Sequence, residues 1–229
     1  MGGEMLSSRW HVGLAVVAGL CLGSLLRRWA QGYAARLAAG AAASAPTLWA
    51  AALTAPRQPW AWRTDGAMAL LLGLAAGLLA ETGHTRLLVP LAGLTALAWI
   101  DARSGLLPDA LTLPLMGAGW LWGAQRLDPA IVASLLVWGG LAVLSALYRR
   151  VRGHEGFGGG DVKCLAAVAG WFGLAAAGCV LWLACVLGVA ACVLQRGGWR
   201  QSAPFGPYLA LAAALWMLWP AVARLAVQS

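Results

Sequence analysis

Charge is what this sequence has least of. Only 10% of its 229 residues are charged and 61% are hydrophobic, whereas a soluble domain carries roughly 25% charged residues. So few charges cannot coat a globule, and with a mean hydropathy of +0.75 they exclude both a disordered chain and an ordinary soluble enzyme. Acid is scarcer still, with eight carboxylates in all. Lysine is scarcest: Lys163 stands alone among sixteen basic residues. Paired cysteines are missing too. Cys21, Cys164, Cys179, Cys185 and Cys192 all lie inside apolar runs with no Cys-x-x-Cys spacing, so they read as small buried hydrophobes rather than disulfides or zinc ligands. His11, His84 and His154 share no metal-binding spacing, and no metal or other cofactor is expected. The net charge of +8 comes from basic residues grouped at the ends of apolar runs instead of along a stripe. They mark topology, and no nucleic-acid partner is expected.

What the chain does have is long apolar segments. A helix needs about 20 apolar residues to cross a bilayer. Runs at about 10–26, 66–80, 87–101, 109–124, 129–148, 162–174, 175–195 and 204–223 supply eight candidates, the sixth and seventh turning near Gly173. The fold class that follows is all-α, a polytopic membrane protein with about eight transmembrane helices. Residues 1–28 form the first span, 29–65 a cytoplasmic loop or interfacial segment, and 66–229 the membrane core. With the N-terminus outside, the inner side collects twelve basic residues, among them Arg27, Arg28, Arg103, Arg149, Arg150, Arg152 and Lys163, against four outside. That is the bias expected of the positive-inside rule.

With so few acids, each needs a reason. Glu4, Asp65, Glu81, Asp128 and Glu155 fall in loops or the terminus; Asp101, Asp109 and Asp161 fall at span ends, where an ionisable group marks a functional site. Asp101 closes the third span and Pro108-Asp109 opens the fourth. Asp161 follows the glycine-rich loop Gly156-Phe157-Gly158-Gly159-Gly160. Both junctions face the inner side, so two carboxylates 60 residues apart meet at one membrane surface. Two apposed aspartates can share a proton, activate a water and polarise a carbonyl without metal or covalent nucleophile. Each also has a structural reading: Asp109 and Asp161 as helix N-caps, and Asp101 as a solvated partner of Arg103. The glycine loop is no P-loop, since it lacks the Gly-Lys-Ser/Thr ending; it offers a backbone free to adopt extended or left-handed geometry.

Asp101-Ala-Arg-Ser-Gly-Leu-Leu-Pro-Asp109, followed by Gly158-Gly-Gly160-Asp161-Val-Lys163, resembles the type IV prepilin peptidases, intramembrane aspartyl proteases of the Gly-x-Gly-Asp type. Gly19-Leu-Cys-Leu-Gly23-Ser24 and Pro204-Phe205-Gly206-Pro207 resemble that family's first-span and last-span motifs. The resemblance implies Asp101 and Asp161 as the catalytic pair, Gly158 and Gly160 as residues shaping the loop, Lys163 as a supporting motif residue and Asp109 in a structural role. Many members carry two Cys-x-x-Cys pairs after the first span, linked to zinc and to N-methylation of the cleaved product. Here the cysteine-free stretch 29–65 takes that place, so neither zinc nor methyltransferase chemistry with S-adenosylmethionine is expected from it.

The implied function is cleavage of the leader peptide from type IV prepilins or pseudopilins, serving pilus or type II secretion systems. The implied location is the bacterial inner membrane, with the active site facing the cytoplasm and the lipid bilayer as surroundings. Two other classes remain open at this point: an ion-coupled transporter using Asp101 and Asp161, and a non-catalytic membrane scaffold. Oligomeric state is not legible.

Overall fold

The computed structural model describes residues 2–40, 46, 50, 67–153, 157–194 and 204–228, and these are helical almost throughout. Eight long helices occur among them: α1 (Gly2–Ala38), α2 (Ala67–Glu81), α3 (Leu88–Ser104), α4 (Asp109–Trp122), α5 (Leu127–Arg152), α6 (Gly159–Phe172), α7 (Leu174–Leu194) and α8 (Gly206–Gln228). They follow the apolar runs closely because the punctuation is strong. Gly105, Gly153 and Gly173, each at positive φ, close α3, α5 and α6 as left-handed or similarly strained caps that favour glycine. Gly173 thereby splits one long apolar stretch into α6 and α7, as its position in the sequence predicts.

Among the described residues, four segments are long and apolar enough to cross a membrane: Val12–Leu37, Thr85–Ser104, Leu127–Arg152 and Leu174–Leu194. Shorter apolar helices pack between them, giving an all-α polytopic membrane protein. Large apolar side chains stand on the outside, including Leu121, Val143, Trp182 and Leu194 at 69–81% exposure. A soluble protein seldom leaves so many large apolar side chains exposed. α6 is the hub. It packs against α4, α5 and α7, and every residue from Cys164 to Trp171 is buried. Its small side chains Ala166, Ala167, Ala169 and Gly170 admit neighbours closely, the usual basis of helix association in lipid. Trp171 Nε1 donates to the Leu115 carbonyl of α4 at 2.8 Å. Ser134 Oγ of α5 donates to the Ala166 carbonyl and accepts from Trp120 Nε1, both at 2.9 Å.

α1 packs on α2 and α3. Gly19 is needed for that contact: a Cβ there would stand 2.7 Å from Ala76 Cβ and 2.8 Å from the Leu72 carbonyl oxygen. The loop expected from residue 29 onward is corrected at its start, because α1 continues as helix to Ala38. Burial explains the extension. Ala30 and Tyr33 form a small core with Ile100 of α3, and Arg27 and Gln31 are buried as well. Of the remaining stretch to residue 65, all but residues 39, 40, 46 and 50 lies outside the described residues, as do His154, Glu155 and Gly156.

Candidate active site

Three helix ends converge at one end of the bundle. Asp101 is in the last turn of α3, buried at 5% exposure. The chain then turns at Gly105, whose N–H donates to the Asp101 carbonyl at 2.8 Å, and returns through the buried residues Leu107 and Pro108 into α4. α6 begins beside this turn and carries Asp161 in its first turn. The two carboxylates are near enough for their charges to repel each other. The third end is that of α8. There the Gly206 backbone N–H donates to Asp101 Oδ2 at 2.8 Å, fixing one oxygen of that carboxylate. Asp161 Oδ1 is buried and meets no hydrogen-bond partner among the described residues. A buried acceptor left open in this way is costly, and it leaves one oxygen of the pair available to a water or a substrate carbonyl.

The residues singled out in the sequence divide into two groups. Asp101, Asp161 and Gly158 come together: a Cβ on Gly158 would stand 2.9 Å from Asp161 Oδ2. Gly160 backs onto the α3–α4 turn, where a Cβ would meet Leu107 Cβ at 2.7 Å. Glycine is therefore required for space at Gly160, whereas a side chain at Gly158 would meet only the movable end of Asp161 and displace that carboxylate; Gly158 needs no left-handed backbone, having φ −64°. Lys163 points elsewhere. Its Nζ donates to both oxygens of Asp109, at 2.7 and 2.6 Å.

The N-cap readings do not hold. Pro108 and Gly158 occupy the N-cap positions of α4 and α6, neither helix has a side-chain cap, and Asp109 and Asp161 lie within the first turns. Nor does Arg103 take the role of a solvated partner for Asp101; its guanidinium lies 4.6 Å from the centre of the Trp99 ring.

Sequence reasoning noticed the Pro-Phe-Gly-Pro segment without giving it a place in the site. Two contacts give it one: the Gly206 N–H on Asp101, and an edge-to-face contact between Phe205 and Phe157, whose ring centroids are 5.7 Å apart. Of the cysteines expected to be small buried hydrophobes, Cys164 is buried, whereas Cys21, Cys179 and Cys185 stand exposed on the outside of the bundle. Cys164 lies one turn along α6 from Asp161. Among the described residues no group of three His, Cys, Asp or Glu side chains is arranged to hold a metal ion.

An all-helical, polytopic membrane protein that gathers two acids at one end of its helices is the class defined by this fold and site. Within it, residues 88–193 match the type IV leader peptidase family, and the chain is similar to curated prepilin leader peptidases. It is 39% identical over 149 residues to a prepilin leader peptidase/N-methyltransferase of Burkholderia pseudomallei (strain 1026b), covering 60% of this chain and 48% of that protein. With the protein of the same name from Aeromonas hydrophila it shares 38% over 137 residues, 55% and 46% of the two chains. With that of Neisseria gonorrhoeae it shares 31% over 161 residues, 66% and 56%. The chain thus spans about half the length of the curated relatives it matches. No solved structure matches it.

Proposed function

We propose that this chain is an intramembrane aspartyl endopeptidase that removes the leader peptide from type IV prepilins or pseudopilins at the cytoplasmic face of the bacterial inner membrane. The observation carrying this reading is the apposition of Asp101 and Asp161, with Asp161 Oδ1 buried and open, inside a chain related to prepilin leader peptidases. Adjacent carboxylates ionise in two steps, so the pair holds one proton between them. The ionised member takes a proton from a water. The resulting hydroxide oxygen bonds to the scissile carbonyl carbon, whose oxygen is polarised by the protonated member. Collapse of the tetrahedral species breaks the C–N bond, and a carboxyl proton passes to the leaving amine. The Gly206 N–H holds Asp101 in place through this cycle. Gly158 and Gly160 keep the loop close to the pair, and Lys163 supports it from α6.

The test is cleavage of a prepilin by purified protein in detergent, wild type beside Asp101→Asn and Asp161→Asn, with thermal unfolding as the check on folding. Wild type should process the precursor. Both variants should lose at least about a thousandfold in rate, the scale of removing an acid or base plus its electrostatic partner, at little change in melting temperature. Folded wild type that leaves several prepilins uncut would turn attention to the transporter and scaffold alternatives, which ion flux through proteoliposomes separates.

A further inference from the structure

The Asp109–Lys163 pair lies outside the carboxylate pair, yet it brackets Asp161. Reading along α6, Gly160 touches Leu107, Asp161 faces the carboxylate site, and Lys163 grips both oxygens of Asp109. Leu107 lies in the short connection between Ser104 and α4, about a turn beyond Asp101, and Asp109 opens α4 at the end of that connection. Two fastenings, one steric and one ionic, therefore bind the Asp101-bearing connection to the first turn of α6 on either side of Asp161. We propose that Asp109 and Lys163 are positioning residues: their ion pair sets the separation of Asp101 and Asp161, and neither touches substrate. This inference rests on the peptidase reading above.

Its physical basis is that the pair is a poor source of stability. The Lys163 and Asp109 side chains are 28% and 51% exposed, and exposed pairs contribute little to folding. The bidentate grip spans 54 residues, however, and ties the first turn of α4 to the start of α6, next to the place where Gly160 packs on Leu107. Register matters more to a water-activating pair than to the fold, because a misplacement of about 1 Å costs on the order of a hundredfold in rate.

Three variants test this: Asp109→Asn, Lys163→Met and their combination, together with the exchanged pair Asp109→Lys/Lys163→Asp. Each is assayed for kcat and KM on a detergent-solubilised prepilin and for amide hydrogen exchange over residues 157–163. Each single variant should lower kcat at least tenfold while KM stays within about twofold. The combined variant should be no worse than the worse single one, and the exchanged pair should recover at least a third of wild-type kcat. Exchange at the start of α6 should quicken in the single variants and slow again in the exchanged pair. Loss of activity in Lys163→Met beside an unaffected Asp109→Asn would overturn the proposal, placing Lys163 on substrate instead. So would unchanged kcat in both, or a raised KM at unchanged kcat. Hydrogen exchange needs no turnover, so a protein that cleaves no prepilin at all would defeat the peptidase reading while still reporting whether the pair fastens α6.

Discussion

An added methyl group at Gly206 would stand 2.7 Å from Asp101 Oδ2 and 2.9 Å from its Cβ, and Asp101 is buried in the last turn of α3. Gly206→Ala therefore moves the carboxylate or breaks the Gly206 N–H bond to it. Cleavage should fall at least tenfold, with a loss of stability of about 1–3 kcal/mol, the usual cost of overpacking; a rate assay beside a thermal melt separates the two effects. A matched pair of substitutions tests the glycine loop in the same way. A Cβ at Gly160 runs into Leu107 Cβ at 2.7 Å, whereas one at Gly159 meets nothing within 4 Å. Gly160→Ala should lose most of its activity and Gly159→Ala should stay within about twofold of wild type, since only the first displaces the α3–α4 turn. Equal effects from both would mean that backbone freedom, and not space, is what the loop needs.

Helices in this chain were legible to the extent that apolar runs end in glycine, proline or charge. Gly105, Gly153 and Gly173 punctuate α3, α5 and α6, and those ends fall close to where the sequence puts them. α1 has no such stop after Arg28, and its continuation to Ala38 depends on burying Ala30 and Tyr33 against Ile100, a contact that nothing local encodes. The same limit applies to the site. Asp101 and Asp161 stood out because acids are rare and topology brings their junctions together, but the Lys163 grip on Asp109 and the Gly206 N–H on Asp101 join residues 54 and 105 positions apart. Tertiary hydrogen bonds also seat α6. Ser134→Ala would leave Trp120 Nε1 and the Ala166 carbonyl without their shared partner. The expected cost is about 1–2 kcal/mol, given what buried bonds contribute in water and in lipid. Unfolding in detergent measures it, and cleavage at a permissive temperature should change less than twofold, because Ser134 of α5 meets α6 at Ala166, more than a turn beyond Asp161, and touches neither carboxylate.

Seen across the whole molecule, the carboxylates lie inward of the arginine-rich end of α5. Ser145 Oγ donates to the Phe157 carbonyl at 3.3 Å, which holds the approach to α6 level with Ser145 of α5. Arg149, Arg150 and Arg152 continue α5 beyond that level, by about 6–10 Å at 1.5 Å per residue. α4 and α6 have only 14 residues each, about 21 Å, against a hydrocarbon thickness of about 30 Å. Their first turns, with Asp109 and Asp161, therefore start below the level at which the long helix α5 ends. If the arginine-rich end is cytoplasmic, the site opens toward the cytoplasm from a depth of one or two turns. Single-cysteine probes test both parts of this argument, with the reactivity of the wild-type cysteines subtracted. A charged, membrane-impermeant thiol reagent should label Arg150→Cys only in inside-out vesicles and Arg126→Cys, at the opposite end of α5, only in right-side-out ones. Gly159→Cys should label from the same side as Arg150→Cys but at least tenfold more slowly, as befits a position recessed beneath the arginines. Labelling of positions 126 and 150 from one side would remove α5 as a crossing helix and with it the alternation that puts Asp101 and Asp161 on a common face. Equal rates at 150 and 159 would keep the orientation but bring the site up to the membrane surface, where water reaches the carboxylates freely.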